Sequence, residues 1–173
     1  MKVVCDTGPL QYLVLIGCES ILPLIFDQVL TARVVTEREL RDPSTPQPVR
    51  QWAANPPSWI PIQEPVHLED IPSLGISGVR GDGDRAIISL ALEESAEFVL
   101  MDDLKARKAA RKLNLEPIWT LEVLDEAAER GLIDDLPYRL DILEHQTLFY
   151  VGKAARQVIE DMKARDGKRR SEG

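Results

Sequence analysis

Carboxylates stand at four places in this chain where metal chemistry would be possible. Each follows an apolar segment typical of a strand or lies at a predicted helix start. In an open α/β sheet, groups at the carboxyl ends of the strands converge on one crevice. Two carboxylates about 4 Å apart repel by about 4 kcal/mol at an effective dielectric of about 20, so a divalent cation, Mg²⁺ or Mn²⁺, is predicted among them. The acids are Asp6, Glu39, Asp84 and the pair Asp102–Asp103.

Each acid also has an ordinary explanation. Asp6 could form an Asx-turn, and Glu39 could pair with Thr36 in a T-x-x-E capping box. Asp84 and Asp103 are preferred residue types for helix N-caps. All of these positions fall at one end of the predicted sheet, which favours a shared site over unrelated caps.

Composition limits the function classes. The 173 residues, 44% of them apolar, are predicted to form one domain with a core. The net charge of −8 argues against a generally basic nucleic-acid binder. Lys105–Lys112, however, holds five cations and no acid, which could reach phosphate. Lys163–Arg170 holds five cations and one acid. This segment is expected either to reach phosphate as well or to be a solvated helix face with a frayed tail.

The setting predicted for the chain is the cytoplasm. No apolar run is long enough to span a membrane, and no secretory signal precedes the first strand. Cys5 and Cys18 lie outside any C-x-x-C pair, which is typical of a reduced compartment. His67 and His145 lack ligand-spaced partners, so a zinc site is not expected.

Short apolar segments alternate with helices of about ten residues, which predicts an α/β fold with a mainly parallel sheet. One domain is expected over residues 1–150, with a loop-rich insert at about 42–83, followed by a C-terminal helix and basic tail at 151–173. Leu74–Gly83 is expected to be a mobile loop, Asp84 to cap the next helix and Thr120 to cap another. Strands are predicted at Val3–Cys5, Gln28–Thr31, Ile60–Ile62, Phe98–Met101 and Pro117–Trp119.

Two other enzyme or signalling classes are disfavoured by the sequence. Asp6-Thr7-Gly8 is the tripeptide of aspartic proteases, but Pro9 and a helix follow at once, whereas those enzymes need an all-β fold. A phosphate-receiving signalling domain needs an acid pair after the first strand, and here Asp6 stands alone.

In order along the chain, four motifs together resemble the PIN-domain family, and more narrowly its branch related to VapC-type toxins. The resemblance covers about Val3 to Leu143 and also includes the run Thr120–Leu124. It implies a three-layer α/β/α fold and a metal-dependent ribonuclease. The motifs are Asp6-Thr7-x-Pro9-Leu10, Val35-x-x-x-Glu39-Leu40, Gly81-x-Gly83-Asp84 before an apolar helix, and Leu100-x-Asp102-Asp103-x-x-Ala106-Arg107.

By motif position, the resemblance assigns the first three family acids to Asp6, Glu39 and Asp84. The fourth is open between Asp102 and Asp103. Asp102 is favoured as the ligand, and Asp103 would cap the helix or assist through a water. Thr7 matches the small hydroxyl residue that would orient the first acid or the attacking water.

The expected substrate is RNA, hydrolysed with Mg²⁺ or Mn²⁺. Lys105, Arg107 and Arg111, just beyond the acids, are expected to contact its phosphates. The resemblance also implies a homodimer and a small antitoxin, and the apolar run Leu148–Val151 could serve either contact or pack on its own core. The alternative function is a non-catalytic PIN-like module that binds RNA or an antitoxin without cutting.

Overall fold

Five parallel strands form one sheet in the computed structural model, which describes residues 1–68 and 81–172. The order across the sheet is β3-β2-β1-β4-β5, and helices surround it in a three-layer α/β/α arrangement. The predicted fold class is therefore confirmed, and every predicted strand lies within two residues of its observed position. The strands are β1 Lys2–Cys5, β2 Gln28–Ala32, β3 Ile62–Gln63, β4 Phe98–Leu100 and β5 Glu116–Ile118.

The central strand, β1, fixes where a site can form. Val4 pairs with Leu30 of β2 on one side and Val99 of β4 on the other, and all three are buried apolar residues. The chain passes from β1 outward to β2 and β3, then returns to the other side of β1 as β4. The strand order reverses there, so the crevice beyond the ends of β1 and β4 is where such sheets bind ligands.

Eight α-helices lie in the described residues. Within that part of the chain no single helix is long and apolar enough to cross a membrane. The segments Thr7–Leu15 and Glu19–Ile25 reach that length and apolar content only when they are taken together, and they are bent by 114° relative to each other. The helices are α1 Thr7–Leu15, α2 Leu22–Ile25, α3 Gln47–Ala54, α4 Gly81–Glu93, α5 Leu104–Lys112, α6 Thr120–Glu129, α7 Leu136–Gln146 and α8 Lys153–Glu172.

Helix α4 packs on β1, β2 and β4 through a stripe that includes Ile87 and Ala91. The prediction that Asp84 caps this helix is wrong, because Gly81–Gly83 are already helical and Asp84 lies inside the first turn. The remainder of the predicted mobile loop, from Leu74, lies outside the described residues.

The insert contributes to the sheet. Its strand β3 pairs in parallel with β2, and Trp52 of α3 packs on Trp59 with ring centroids 6.4 Å apart. Glu93 at the end of α4 accepts hydrogen bonds from the backbone N–H groups of Val66 and His67, at 2.9 and 2.7 Å. The insert is thus tied to β2 through its strand and to α4 through Glu93.

The C-terminal helix α8 continues to Glu172, so the expectation of a frayed tail is wrong. Its buried side chains, Ala155, Ile159 and Met162, lie on the face of α8 that contacts α6 and α7. Lys163 pairs with Asp141 of α7, and Arg165 pairs with Asp125 of α6 at 2.7 Å. These cations are engaged within the fold, which makes phosphate contact by this segment a poor hypothesis.

Candidate metal centre

Asp6 lies at the centre of the candidate site. Its backbone N–H donates to the Leu100 carbonyl at 2.9 Å, which continues the β1–β4 ladder past both strand ends. Although Asp6 occupies the N-cap position of α1, its side chain makes no capping hydrogen bond there. The Asp6 carboxylate is only 9% exposed, and burying a charge is costly unless the charge has partners. Because it does not cap its helix, helix capping does not explain why an acid is buried here.

The electrostatics of Asp6 show which acids are its neighbours. Burial raises the pKa of Asp6 from its ordinary value to about 7, and the charge of Asp84 is the next largest cause. Glu39 and Asp102 also raise this pKa, while a hydrogen bond from the Thr7 backbone N–H lowers it. The fold therefore brings together acids from three other segments of the sequence around the buried carboxyl group of Asp6.

Asp102 and Asp103 have different structural roles. The Asp103 carboxylate accepts from the backbone N–H groups of Lys105 and Ala106, both at 2.8 Å, and so caps α5 as predicted. Asp102 turns inward and accepts from Thr120 twice, from N–H at 2.9 Å and from Oγ1 at 2.7 Å. Of the two, Asp102 is the one whose charge reaches Asp6.

Burial raises the pKa of Asp102 to about 6. The two hydrogen bonds from Thr120 oppose that rise, and so does the positive charge of Arg107. Thr120 is fully buried at the start of α6, whose N-cap is Trp119. The predicted capping role of Thr120 is therefore wrong, because its hydroxyl donates to Asp102 instead.

Glu39 reaches the site by an irregular route. Val35–Glu39 forms a single π-helical turn with Val34 at its N-cap, a feature often found at functional sites. The predicted capping box is absent, because the Thr36 hydroxyl donates to the Arg33 carbonyl at 3.3 Å. Glu39 instead accepts a hydrogen bond from the Thr7 hydroxyl, so the Thr7 side chain binds the second acid while its backbone N–H binds the first.

The first turn of α4 lies directly against Glu39. A Cβ atom added at buried Gly83 would sit 2.8 Å from Cδ of Glu39, which leaves room only for glycine unless Glu39 moves. Asp82, which falls within the predicted loop Leu74–Gly83, is helical and exposed, and pairs loosely with Arg38 at 3.8 Å. Asp84 lies partly buried in this same turn.

The donor set fits a hard divalent cation. Asp6, Glu39, Asp84 and Asp102 offer carboxylate oxygens, the ligand type that Mg²⁺ and Mn²⁺ prefer. The raised pKa values of Asp6 and Asp102 indicate that their negative charges are not fully compensated by protein groups. The acids are nonetheless spread out, because within residues 1–68 and 81–172 no three of them bring ligand atoms within 4.8 Å of one another.

The group that does meet this distance lies elsewhere, on α7. Asp141, Glu144 and His145 are at most partly buried. Lys163 pairs with both acids, and Arg156 pairs with Glu144 at 3.7 Å. Since cations already neutralise these carboxylates, the group is better explained as the docking surface for α8 than as a metal site.

A family model described as a PIN domain matches residues 2–164. The chain belongs to the PIN-domain family. PIN domains are generally nucleases and typically use divalent metals, which agrees with an acidic site at the strand ends. A comparison with curated proteins found no match.

The basic residues of this PIN domain are not equivalent. Lys105 and Arg111 on α5 are exposed, and Arg107 is partly buried. Within the described part of the chain none of the five cations of α5 takes part in an ion pair, in contrast to those of α8. An unpaired basic helix that begins one residue after Asp102–Asp103 is unusual on a chain of charge −8.

Sequence reasoning missed two contributors to the site. Thr120 was predicted to be a cap, although its position just after β5, the neighbour of β4, places it beside Asp102. Gly83 belongs to the predicted loop and to the third motif, and neither assigns it a steric role. Its importance depends on contact with Glu39, which no local pattern in the sequence indicates.

Proposed function

We propose that this PIN domain is a metal-dependent endoribonuclease that hydrolyses RNA phosphodiester bonds. The observation that supports it best is the environment of Asp6, which is buried, makes no helix-capping hydrogen bond and feels the charges of Asp84, Glu39 and Asp102. A structural role would not require so many acids around one buried carboxyl group, since like charges at close range destabilise the fold.

Asp6, Asp84 and Asp102 would hold the cation, with Glu39 as a further ligand or as the group that orients the attacking water. Bound Mg²⁺ or Mn²⁺ would supply an activated water and stabilise charge on the phosphate oxygens. Thr7 fixes the Glu39 carboxylate by its hydrogen bond, and Thr120 fixes that of Asp102. These second contacts limit the rotation of the acids and so prepare the site for the reaction.

Helix α5 would bind the phosphates on either side of the cleaved bond. Lys105, Arg107 and Arg111 carry charges without ion-pair partners in the described residues, so phosphate contact would not require an existing ion pair to break. Arginine is suited to bidentate phosphate contact. Binding would then be local to this helix, which agrees with an acidic chain overall.

We extend the proposal to a role as the toxin of a toxin–antitoxin pair acting in the cytoplasm, as a homodimer with a small antitoxin. The surface for a protein contact would be the link between α7 and α8. Leu148 and Tyr150 are 86% and 85% exposed there, while Phe149 between them is buried against Tyr12. The predicted packing of this run on its own core thus applies to Phe149 and not to its two neighbours.

One observation favours the alternative, a PIN-like module that binds RNA without cutting it. The acids do not reach the spacing of a closed metal site in the described residues. In that case the unpaired cations of α5 would still bind RNA, and the acids would bind metal weakly.

The test is calorimetry of Mg²⁺ and Mn²⁺ binding together with an RNA cleavage assay on the same samples. Wild type is compared with Asp6→Asn/Asp84→Asn and with a control pair of exposed acids, Asp134→Asn/Asp161→Asn. Loss of metal binding and cleavage in the first pair only is expected. RNA binding by wild type without metal-dependent cleavage would refute the nuclease and support the alternative.

A further inference from the structure

Arg107 and Trp119 form a stacked pair beside the acids. The guanidinium carbon of Arg107 lies 4.7 Å from the centroid of the Trp119 ring. Arg107 is in the first turn of α5, and Trp119 follows β5, whose neighbour β4 leads into Asp102. The pair therefore sits on the β5 side of Asp102, next to the Thr120 that binds it.

The Arg107 side chain has donors that the fold does not use. In residues 1–68 and 81–172 it makes no hydrogen bond or ion pair, and its Nε is buried without a partner. A buried donor without an acceptor is costly, and in a native fold it calls for an explanation. The enclosed Nε is out of reach of a ligand, whereas the two terminal nitrogens of Arg107 are not among the buried atoms and can meet a ligand acceptor.

Arg107 is close enough to Asp102 for its charge to lower the pKa of that acid, yet the two side chains form no ion pair within 4.0 Å. A flexible arginine beside a carboxylate would ordinarily close on it. Here the flat guanidinium lies on the indole ring instead, an arrangement that cation–π attraction favours. With Arg107 stacked on Trp119 and not paired with Asp102, its terminal N–H groups stay available for a ligand.

We propose that Trp119 is a positioning residue for substrate. It holds the Arg107 guanidinium at a fixed place next to the acids, where its fork of N–H groups receives the RNA phosphate adjacent to the cleaved bond. This inference rests on the proposed function. It adds a residue that touches neither metal nor phosphate and acts only through Arg107.

The experiment measures binding of single-stranded RNA in EDTA, where the substrate stays intact, as a function of salt. The variants are Trp119→Ala, Trp119→Phe, Arg107→Gln and the double variant Trp119→Ala/Arg107→Gln. Arg107→Gln should weaken binding about tenfold, as expected for loss of a charge-assisted contact. The slope of log K against log salt should fall by about 0.7, the value for one phosphate on a single strand.

Trp119→Ala should reproduce both changes, and Trp119→Phe, which keeps an aromatic face, should restore most of the binding. In the double variant the two changes should not add, because both act on one contact. Thermal unfolding of each variant identifies any that fail to fold, and if Trp119→Ala is one of them, Trp119→Leu, which keeps apolar bulk without an aromatic face, replaces it with the same expected result.

Two results would refute the inference in different ways. If wild type cleaves RNA and folded Trp119→Ala keeps the wild-type affinity and salt slope, the positioning role is wrong and the nuclease proposal is unaffected. If wild type neither binds nor cleaves RNA, the proposed function itself is wrong, and the role of Trp119 is refuted with it.

Discussion

Replacing Asp6 with Asn should abolish cleavage and, at the same time, stabilise the metal-free protein at neutral pH. Burial and the neighbouring carboxylates raise the pKa of Asp6 from 3.8 to about 7. The folded protein therefore holds a proton at this position between those two values, and the unfolded chain does not. Because the folded protein binds this proton and the unfolded chain does not, the free energy of unfolding falls as the pH rises from the unfolded pKa of 3.8 to the folded pKa of about 7.

The size of the effect follows from the shift. The pKa of Asp6 rises by about 3, and each pKa unit corresponds to about 1.4 kcal/mol, which gives roughly 4 kcal/mol. This is an upper limit for the stability that the wild type loses when Asp6 ionises in the folded protein. Asn is nearly the same shape as the protonated carboxyl group and does not ionise, so the variant avoids the penalty. For a chain of this size 4 kcal/mol corresponds to a rise in Tm of about 8–16 °C.

The assay is urea or thermal unfolding of wild type and Asp6→Asn in EDTA at about pH 4, 6 and 8, with Asp134→Asn as an exposed control. The stability difference should be small near pH 4 and largest near pH 8, and the control should follow wild type. Added Mg²⁺ should stabilise wild type but not Asp6→Asn, because binding to the folded state alone shifts the equilibrium. An Asp6→Asn protein that is no more stable than wild type near pH 8 would show that Asp6 is not a strained, buried acid.

Five further substitutions, in three sets, separate the roles of neighbouring residues. Gly83→Ala should displace Glu39 and reduce cleavage by roughly a hundredfold with RNA binding in EDTA unchanged; equal cleavage rates would mean that Glu39 is dispensable or can shift. Asp103→Ala should lower the free energy of unfolding by about 1 kcal/mol and preserve metal-dependent cleavage, whereas Asp102→Asn should lose the cleavage. Thr120→Val should cost about 1–3 kcal/mol in urea unfolding because an Asp102 oxygen loses its donor, and Thr120→Ser, which keeps the hydroxyl, should not.

The strands and the parallel sheet were predicted well because both depend on local patterns in the sequence. Buried apolar runs such as Val3–Cys5 and Phe98–Met101 determine the strands, and their alternation with helices requires a parallel sheet. Once the sheet is parallel, residues just after two adjacent strands must lie close together. That geometry is enough to bring Asp6 and Asp102 to one place.

The parts that were wrong depend on contacts between distant segments. Thr36-x-x-Glu39 has the letters of a capping box, but a π-helical turn and the hydroxyl of Thr7 give Glu39 a different partner. Thr120 is an ordinary cap by sequence, and only the pairing of β4 with β5 brings Asp102 to its hydroxyl. Since such partners are chosen by the assembled fold, propensity alone could not identify them.

The strand order has a consequence for how the site is made. Asp6 follows β1 directly, whereas Asp102 follows β4 and is synthesised only after helices α1 to α4. The two meet only when β4 pairs with β1, a contact between segments far apart in sequence and therefore slow to form. A chain that emerges from the ribosome cannot complete its acid cluster before that pairing occurs, so partly made molecules lack the site.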